Sequence, residues 1–132
     1  QAPVDLDALT GKKLVSDDLH AYAQSKLAIT MWSCGVAHKL SLQGPMIVAV
    51  NPGSLLATKM VREGFGIAGK DVNIGSDILI RASLSDEFNN TSGEYFDNDS
   101  GQFSAPHIDA LNPKKNEDLI QCIEGILNKS KS

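Results

Sequence analysis

The stretch GPMIVAVNPG, residues 44–53, decides the fold class because it predicts a strand buried on both faces. Its apolar residues, 46–50, do not alternate with polar ones, and Gly-Pro and Pro-Gly bound the run on its two sides. A continuous apolar run of this length is typical of a strand in a parallel sheet that helices cover on both faces. We therefore expect an α/β fold.

A long helix is predicted before this strand. Ser16 followed by Asp17 and Asp18 is a typical helix start, because the hydroxyl can cap free N–H groups and carboxylates favour the positive end of a helix. The helix should run to about Leu40, before Gly-Pro breaks the chain. Its expected core-facing stripe consists of Leu19, Ala23, Leu27, Met31 and Cys34.

Two further helices and a second strand are predicted after the apolar strand. A glycine-punctuated connection, residues 52–70, leads to them. In chain order they are a helix capped by Asp71, a short strand EYF at 94–96, a turn DNDSG at 97–101, and a final helix opened by Asn112 and Pro113.

The predicted order, helix–strand–helix–strand–helix, supplies only two strands. A strand as apolar as residues 47–50 normally has neighbours on both edges as well as cover on both faces. An exposed strand edge is also an association hazard in an isolated domain. We therefore expect the chain to be part of a larger sheet, or to have its sheet completed by a partner.

Composition excludes several function classes. With 132 residues, 42% of them hydrophobic, and a net charge of -4, the chain has the make-up of one globular domain and no basic patch for nucleic acid. No apolar run is long enough to cross a bilayer, so we expect no membrane partner. Two cysteines are too few for a disulfide framework, and three histidines share no helix face, so we expect a cytoplasmic protein without a metal site.

Tyr22 and Lys26 form the most informative polar pair. They lie four residues apart in the predicted first helix, within DDLHAYAQSKLAITMW, residues 17–32, so their side chains should be neighbours on one face. A tyrosine with a free pKa of about 10 is a poor base at neutral pH, and a nearby cation favours its phenolate form. The pair could therefore exchange a proton with an alcohol or carbonyl, although Tyr-x-x-x-Lys also occurs by chance as a surface contact.

Several motifs in a fixed order resemble one family. YAQSK at 22–26, the apolar strand, NPG at 51–53 followed by Thr58, and SGEYF at 92–96 together look like the C-terminal half of a short-chain dehydrogenase/reductase. The resemblance implies that residues 1–132 are the C-terminal half of a Rossmann-like doubly wound parallel sheet within a single domain. The dinucleotide-binding N-terminal half, with the catalytic serine, would precede Gln1.

The resemblance also implies roles for individual residues. Tyr22 would be the general acid/base, and Lys26 would lower its pKa and hold the nicotinamide ribose. The spacing from Pro-Gly to Thr58 is one residue longer than the family's, so Ser54 or backbone N–H groups could take the role of that threonine. The implied cofactor-binding residues are Tyr22, Lys26, Asn51, Pro52, Gly53, Ser54 and Thr58.

The implied activity is hydride transfer between NAD or NADP and a small alcohol or carbonyl substrate, in a homo-oligomer. The connection with glycines at 64, 66 and 69 would form a lid over the substrate. One alternative is a truncated, non-catalytic module of the same family that serves interaction or dimerisation. Another is a sugar-nucleotide epimerase or dehydratase, which shares Tyr-x-x-x-Lys but usually carries a larger C-terminal substrate domain.

Overall fold

The computed structural model describes residues 2–40 and 43–132. Helices and strands are numbered separately in chain order. The helices are α1 (Leu6–Leu9), α2 (Asp18–Leu40), α3 (Lys59–Phe65), α4 (Asn73–Leu84) and α5 (Pro113–Ser130), and the strands are β1 (Ala49–Asn51), β2 (Tyr95–Asp97) and β3 (Gln102–Ser104). Short 3-10 helices span Asp86–Phe88 and Ile108–Leu111.

Helix α2 forms where the sequence predicts it, but its start and its buried face differ from the prediction. It begins at Asp18, and the Asp17 carboxylate, rather than the Ser16 hydroxyl, accepts a hydrogen bond from a first-turn N–H. Leu19 and Ala23 of the expected stripe are exposed. Met31 of that stripe is buried as expected, and Leu27 and Cys34 pack against the core. The buried face also includes Gln24, Ala28 and Gly35, which the stripe did not contain.

Helix α5 packs on this buried face of α2. Ala28 and Met31 of α2 form one core cluster with Ala110 and with Leu119 of α5. The two helices approach most closely at Gly35, where an added Cβ would lie 2.7 Å from Ile120 Cδ1 and 3.2 Å from Asn116 Cβ. A side chain at position 35 would therefore require the Ile120 side chain to shift or the helices to move apart.

The described sheet has three strands in the order β1-β2-β3. β1 pairs with β2 in parallel, with Asn51 opposite Asp97, whereas β2 pairs with β3 in antiparallel. The predicted Rossmann-like doubly wound parallel sheet is therefore wrong: the sheet is small and mixed, and the described chain is mostly helical. The physical reason lies in the predicted DNDSG turn, where Gly101 adopts φ 72° and its N–H bonds the Asp97 carbonyl, which reverses the chain into β3.

Aromatic packing stabilises the unpredicted strand β3. Phe88, Phe96 and Phe103 form a three-way cluster with ring centroids 5.0 to 5.2 Å apart, and Ile78 of α4 completes it. Successive side chains of a strand point to opposite faces, so Phe96 faces this cluster while its neighbour Tyr95 faces α2. The sheet therefore has α4 on one face and α2 on the other.

Candidate functional site

Tyr22 and Lys26 contact each other in the first three turns of α2. The Lys26 ammonium lies 5.4 Å from the centre of the Tyr22 ring, over its face, in the geometry of a cation–π contact. The sequence predicted that the Lys26 ammonium would lie near the Tyr22 hydroxyl. The two side chains are neighbours, but the ammonium lies over the ring. Tyr22 retains 45% of its surface exposed.

A cavity of about 480 Å³ opens beside this pair. That volume lies within the range of small-molecule sites. Helix α2 supplies one part of its wall, and β2 and the segment after β3 supply another. The lining residues are Ala2, His20, Tyr22, Ala23, Gln24, Lys26, Leu27, Thr30, Tyr95, Ala105, Pro106 and His107.

The wall after β3 is held in place by polar contacts around Asp109. The Asp109 N–H donates to His107 Nδ1 at 3.1 Å, which fixes the imidazole at the start of the 3-10 helix Ile108–Leu111. The Asp109 carboxylate is buried, and it accepts from Lys115 Nζ at 2.6 Å and from the Val4 N–H at 2.8 Å. These contacts, led by the Lys115 hydrogen bond, lower the pKa of Asp109, so it stays ionised at neutral pH.

Sequence reasoning missed Tyr95 and His107 as site residues. Tyr95 falls in the predicted EYF strand. Successive side chains of a strand point to opposite faces, which could have indicated that Tyr95 faces away from the side on which Phe96 is buried. From the sequence, His107 is considered only as a possible metal ligand. Nothing in its spacing indicates proximity to Tyr22, because the chain reversal at residues 98–101 creates that proximity.

The predicted cofactor wall forms a second cluster, away from the residues that line the cavity. The Asn51 amide donates to Asp97 Oδ1 at 3.0 Å and to Asp99 Oδ2 at 3.1 Å. The Gly53 N–H donates to Asn51 Oδ1 at 3.1 Å, and Pro52 accepts from the Asn98 amide at 2.8 Å. The turn between β2 and β3 therefore fixes the Pro-Gly loop.

Asp99 is the centre of this second cluster. Its carboxylate accepts from the Ser54 backbone N–H at 2.9 Å and from the Ser54 hydroxyl, and Lys70 Nζ lies 3.6 Å away. The two hydrogen bonds from Ser54, followed by that of Asn51, lower the pKa of Asp99 to about 2. Ser54 is thus engaged by the protein itself, a role that no sequence motif indicated.

Thr58 is the N-cap residue before α3 and does not line the cavity. Its side-chain oxygen accepts a hydrogen bond from the Val61 N–H at 3.3 Å, which is an N-cap interaction. The structure therefore separates the predicted site residues into two groups. Tyr22 and Lys26 line the cavity, whereas Asn51, Pro52, Gly53 and Ser54 form the loop that the β2–β3 turn holds, and Thr58 lies beyond that loop.

In the connection predicted to act as a lid, residues 52–70, backbone hydrogen bonds join the two ends. The Lys70 N–H donates to the Leu55 carbonyl, and the Ala57 N–H donates to the Lys70 carbonyl, each at 2.7 Å. Gly69, at φ 81°, allows this close approach, because an added Cβ would lie 2.8 Å from the Ala57 backbone. Between these points α3 carries exposed apolar side chains at Met60 and Phe65.

Within residues 2–40 and 43–132, no three His, Cys, Asp or Glu side chains are grouped to hold a metal ion. No helix in the same described part of the chain has the length and apolar character needed to cross a membrane. No protein-family profile, curated protein sequence or solved structure matches the chain.

Proposed function

We propose that this chain carries the proton-transfer residues of an NAD(P)-dependent oxidoreductase similar to the short-chain dehydrogenases/reductases. The observation that supports this proposal best is the shared position of Tyr22 and Lys26. Both side chains project from one face of α2 into one cavity, and the ammonium lies against the phenol ring. That arrangement suits a general acid/base whose developing negative charge needs a nearby cation.

Lys26 is well suited to a second task in this proposal. Among the described residues it forms no ion pair with a carboxylate, although the chain has 16 acidic residues. Its three N–H donors are therefore free to hold the hydroxyls of a nicotinamide ribose. The availability of the Lys26 ammonium is therefore the observation that makes these residues suitable for a nicotinamide cofactor.

The residues divide the chemistry between them. A bound nicotinamide would supply or accept the hydride at the substrate carbon. The Tyr22 hydroxyl would give a proton to the substrate oxygen during reduction and take it during oxidation. The Lys26 ammonium would stabilise the phenolate that this transfer leaves behind, and the Pro-Gly loop, fixed by Asp99, would form the rigid wall for the cofactor.

The test is Tyr22→Phe in the intact protein. Removing the proton donor should lower turnover of a carbonyl substrate with NADH or NADPH by a factor of about a hundred or more, while nicotinamide affinity stays near wild type. His38→Gln is the control, because His38 lies on the same helix, exposed and outside the cavity. Wild-type turnover in Tyr22→Phe would sink the assignment of Tyr22 as acid/base.

A second candidate function is favoured by the surface of the fold. β1 lies at the edge of the described sheet, and α2 exposes apolar side chains, with Ile29 at 55% and Trp32 at 39% of their surface accessible. A non-catalytic module that pairs with another copy would use such an edge and helix face. Light scattering of wild type and Trp32→Glu separates the two candidates: self-association lost in the variant, with no nicotinamide binding in either protein, would favour the module.

A further inference from the structure

The cavity beside Tyr22 has an unusual charge composition. None of the described residues that line it carries a carboxylate, although the chain as a whole is acidic, with a net charge of -4. Lys26, His20 and His107 all line it. A concave surface that carries the Lys26 ammonium and no carboxylate of its own favours a negatively charged ligand over a positive one.

Two further lining side chains, His107 and Tyr95, offer hydrogen-bond donors. Both residues are remote in sequence from Tyr22 and Lys26. His107 Nδ1 accepts from the Asp109 N–H, so the proton of the neutral imidazole is on Nε2, which can donate. Burial, reinforced by Asp97 and Asp99, raises the pKa of Tyr95, so its hydroxyl also stays protonated and can donate. Three carboxylates lie near these donors, and each is already engaged. Asp109 is paired with Lys115. Asp99 accepts from the Ser54 N–H and faces Lys70, and Asp97 accepts from the Asn51 amide.

From this composition we propose that the cavity binds a small carbonyl or alcohol compound bearing a carboxylate, with the carboxylate at His107 and Tyr95 and the reacting carbon at Tyr22. Two single donors match the two oxygens of a carboxylate. A phosphate group offers three strong acceptor oxygens, more than these two single donors can satisfy. The rings of Tyr22 and Tyr95 would favour a flat molecule between these ends.

This proposal rests on the proposed function only for the reaction that the ligand would undergo, so the test measures binding without any cofactor. The probes are 4-carboxybenzaldehyde and its methyl ester, methyl 4-formylbenzoate, titrated calorimetrically into the full-length protein. Both keep the ring and the aldehyde, and only the acid carries the charge. We expect the acid to bind about tenfold more tightly, which corresponds to about 1.4 kcal/mol. Raised salt should reduce this preference.

Two variants locate the carboxylate. His107→Asn removes the imidazole but keeps an oxygen that can cap the 3-10 helix, and Tyr95→Phe removes only the hydroxyl. Each should lower the preference for the acid to about threefold or less while leaving the affinity for the ester unchanged. His38→Gln, a histidine outside the cavity, should keep the full preference.

The measured affinities would either support or overturn the proposed carboxylate site. Equal affinity for acid and ester in the wild type would overturn the proposal, as would an acid preference that both variants retain. Tighter binding of 4-formylphenyl phosphate than of the acid would contradict the assignment of a carboxylate. If Tyr22→Phe shows that the oxidoreductase proposal is wrong, these binding results still stand, and a failed acid preference leaves the Tyr22 experiment unaffected.

Discussion

Replacing Asp99 by asparagine tests the inferred role of the β2–β3 turn as the anchor of the Pro-Gly loop. The carboxylate accepts from the Ser54 N–H, the Ser54 hydroxyl and the Asn51 amide, and it faces Lys70. An asparagine keeps one acceptor oxygen, but its NH₂ group would point at donors that then lose their partner. The loop should therefore loosen, and the protein should lose stability.

The size of this loss follows from the pKa of Asp99. A fall from 3.8 to about 2 corresponds to at most about 2.4 kcal/mol, at about 1.36 kcal/mol for each pKa unit. The side chain is 32% exposed, so solvent screening reduces this contribution to about 1 kcal/mol. Mispaired donors add to the loss, and we expect Asp99→Asn to lower the free energy of unfolding by about 1 to 2 kcal/mol in total.

The pH dependence gives the sign of the effect. The pKa of Asp99 is lower in the folded state than in the unfolded one, so its stabilisation is fully present above about pH 4 and disappears as the pH falls toward 2. Urea unfolding at pH 7 should therefore separate wild type from Asp99→Asn. The separation should shrink as the pH falls from about 4 toward 2, because the Asp99 carboxylate then takes up a proton and becomes neutral, as asparagine already is.

Asp118→Asn is the matched control for this experiment. Asp118 pairs with Lys114 one turn away on the surface of α5, and such exposed pairs contribute only about 0.3 to 0.5 kcal/mol. The reasoning would be refuted if Asp99→Asn cost no more than this control. A difference between wild type and Asp99→Asn that persisted unchanged at pH 2.5 would also refute it, because the loss would then not depend on the charge.

Three further perturbations test the core and the site. Phe96→Ala should cost about 3 to 5 kcal/mol in urea unfolding, because Phe96 is 4% exposed and contacts two other rings; a cost under 1 kcal/mol would contradict the aromatic cluster as the core beneath β3. Gly35→Val should cost about 1 to 3 kcal/mol by overpacking against Ile120, and Gly125→Val, where nothing lies within 4 Å, is the control in α5. Lys26→Met should weaken both turnover and nicotinamide binding, measured by steady-state kinetics and fluorescence titration; a loss of stability alone would favour a purely structural contact with Tyr22.

The helices α2, α4 and α5 could be predicted because local signals determine them. Asn112 caps α5 ahead of Pro113, as the sequence indicates. The N-cap residue of α4 is Val72, and the predicted cap Asp71, one residue earlier, accepts from the Asn73 N–H. The contact between Tyr22 and Lys26 likewise follows from a four-residue spacing on one helix. These features need no knowledge of distant parts of the chain.

The sheet could not be predicted because its strands depend on distant contacts. The run around β1 suggested burial on both faces, yet in the structure Ala49 is buried while Val48 and Val50 are only partly so. β3 has three residues and no strong strand pattern of its own, and it forms because Phe103 completes the aromatic cluster. Asp99 was missed for the same reason, since its partners at 51, 54 and 70 are remote in sequence.

Strand β2 connects the two groups into which the predicted site residues separate. Tyr95 lines the cavity, and two residues later Asp97 accepts from Asn51 of the Pro-Gly loop. Residues two apart in a strand share a face and lie about 7 Å from each other. A substrate held at Tyr95 and Tyr22 and a nicotinamide held against the Pro-Gly loop would therefore be neighbours along one strand. Hydride transfer requires such closeness, and it makes the rigidity that Asp99 gives the loop part of the proposed chemistry.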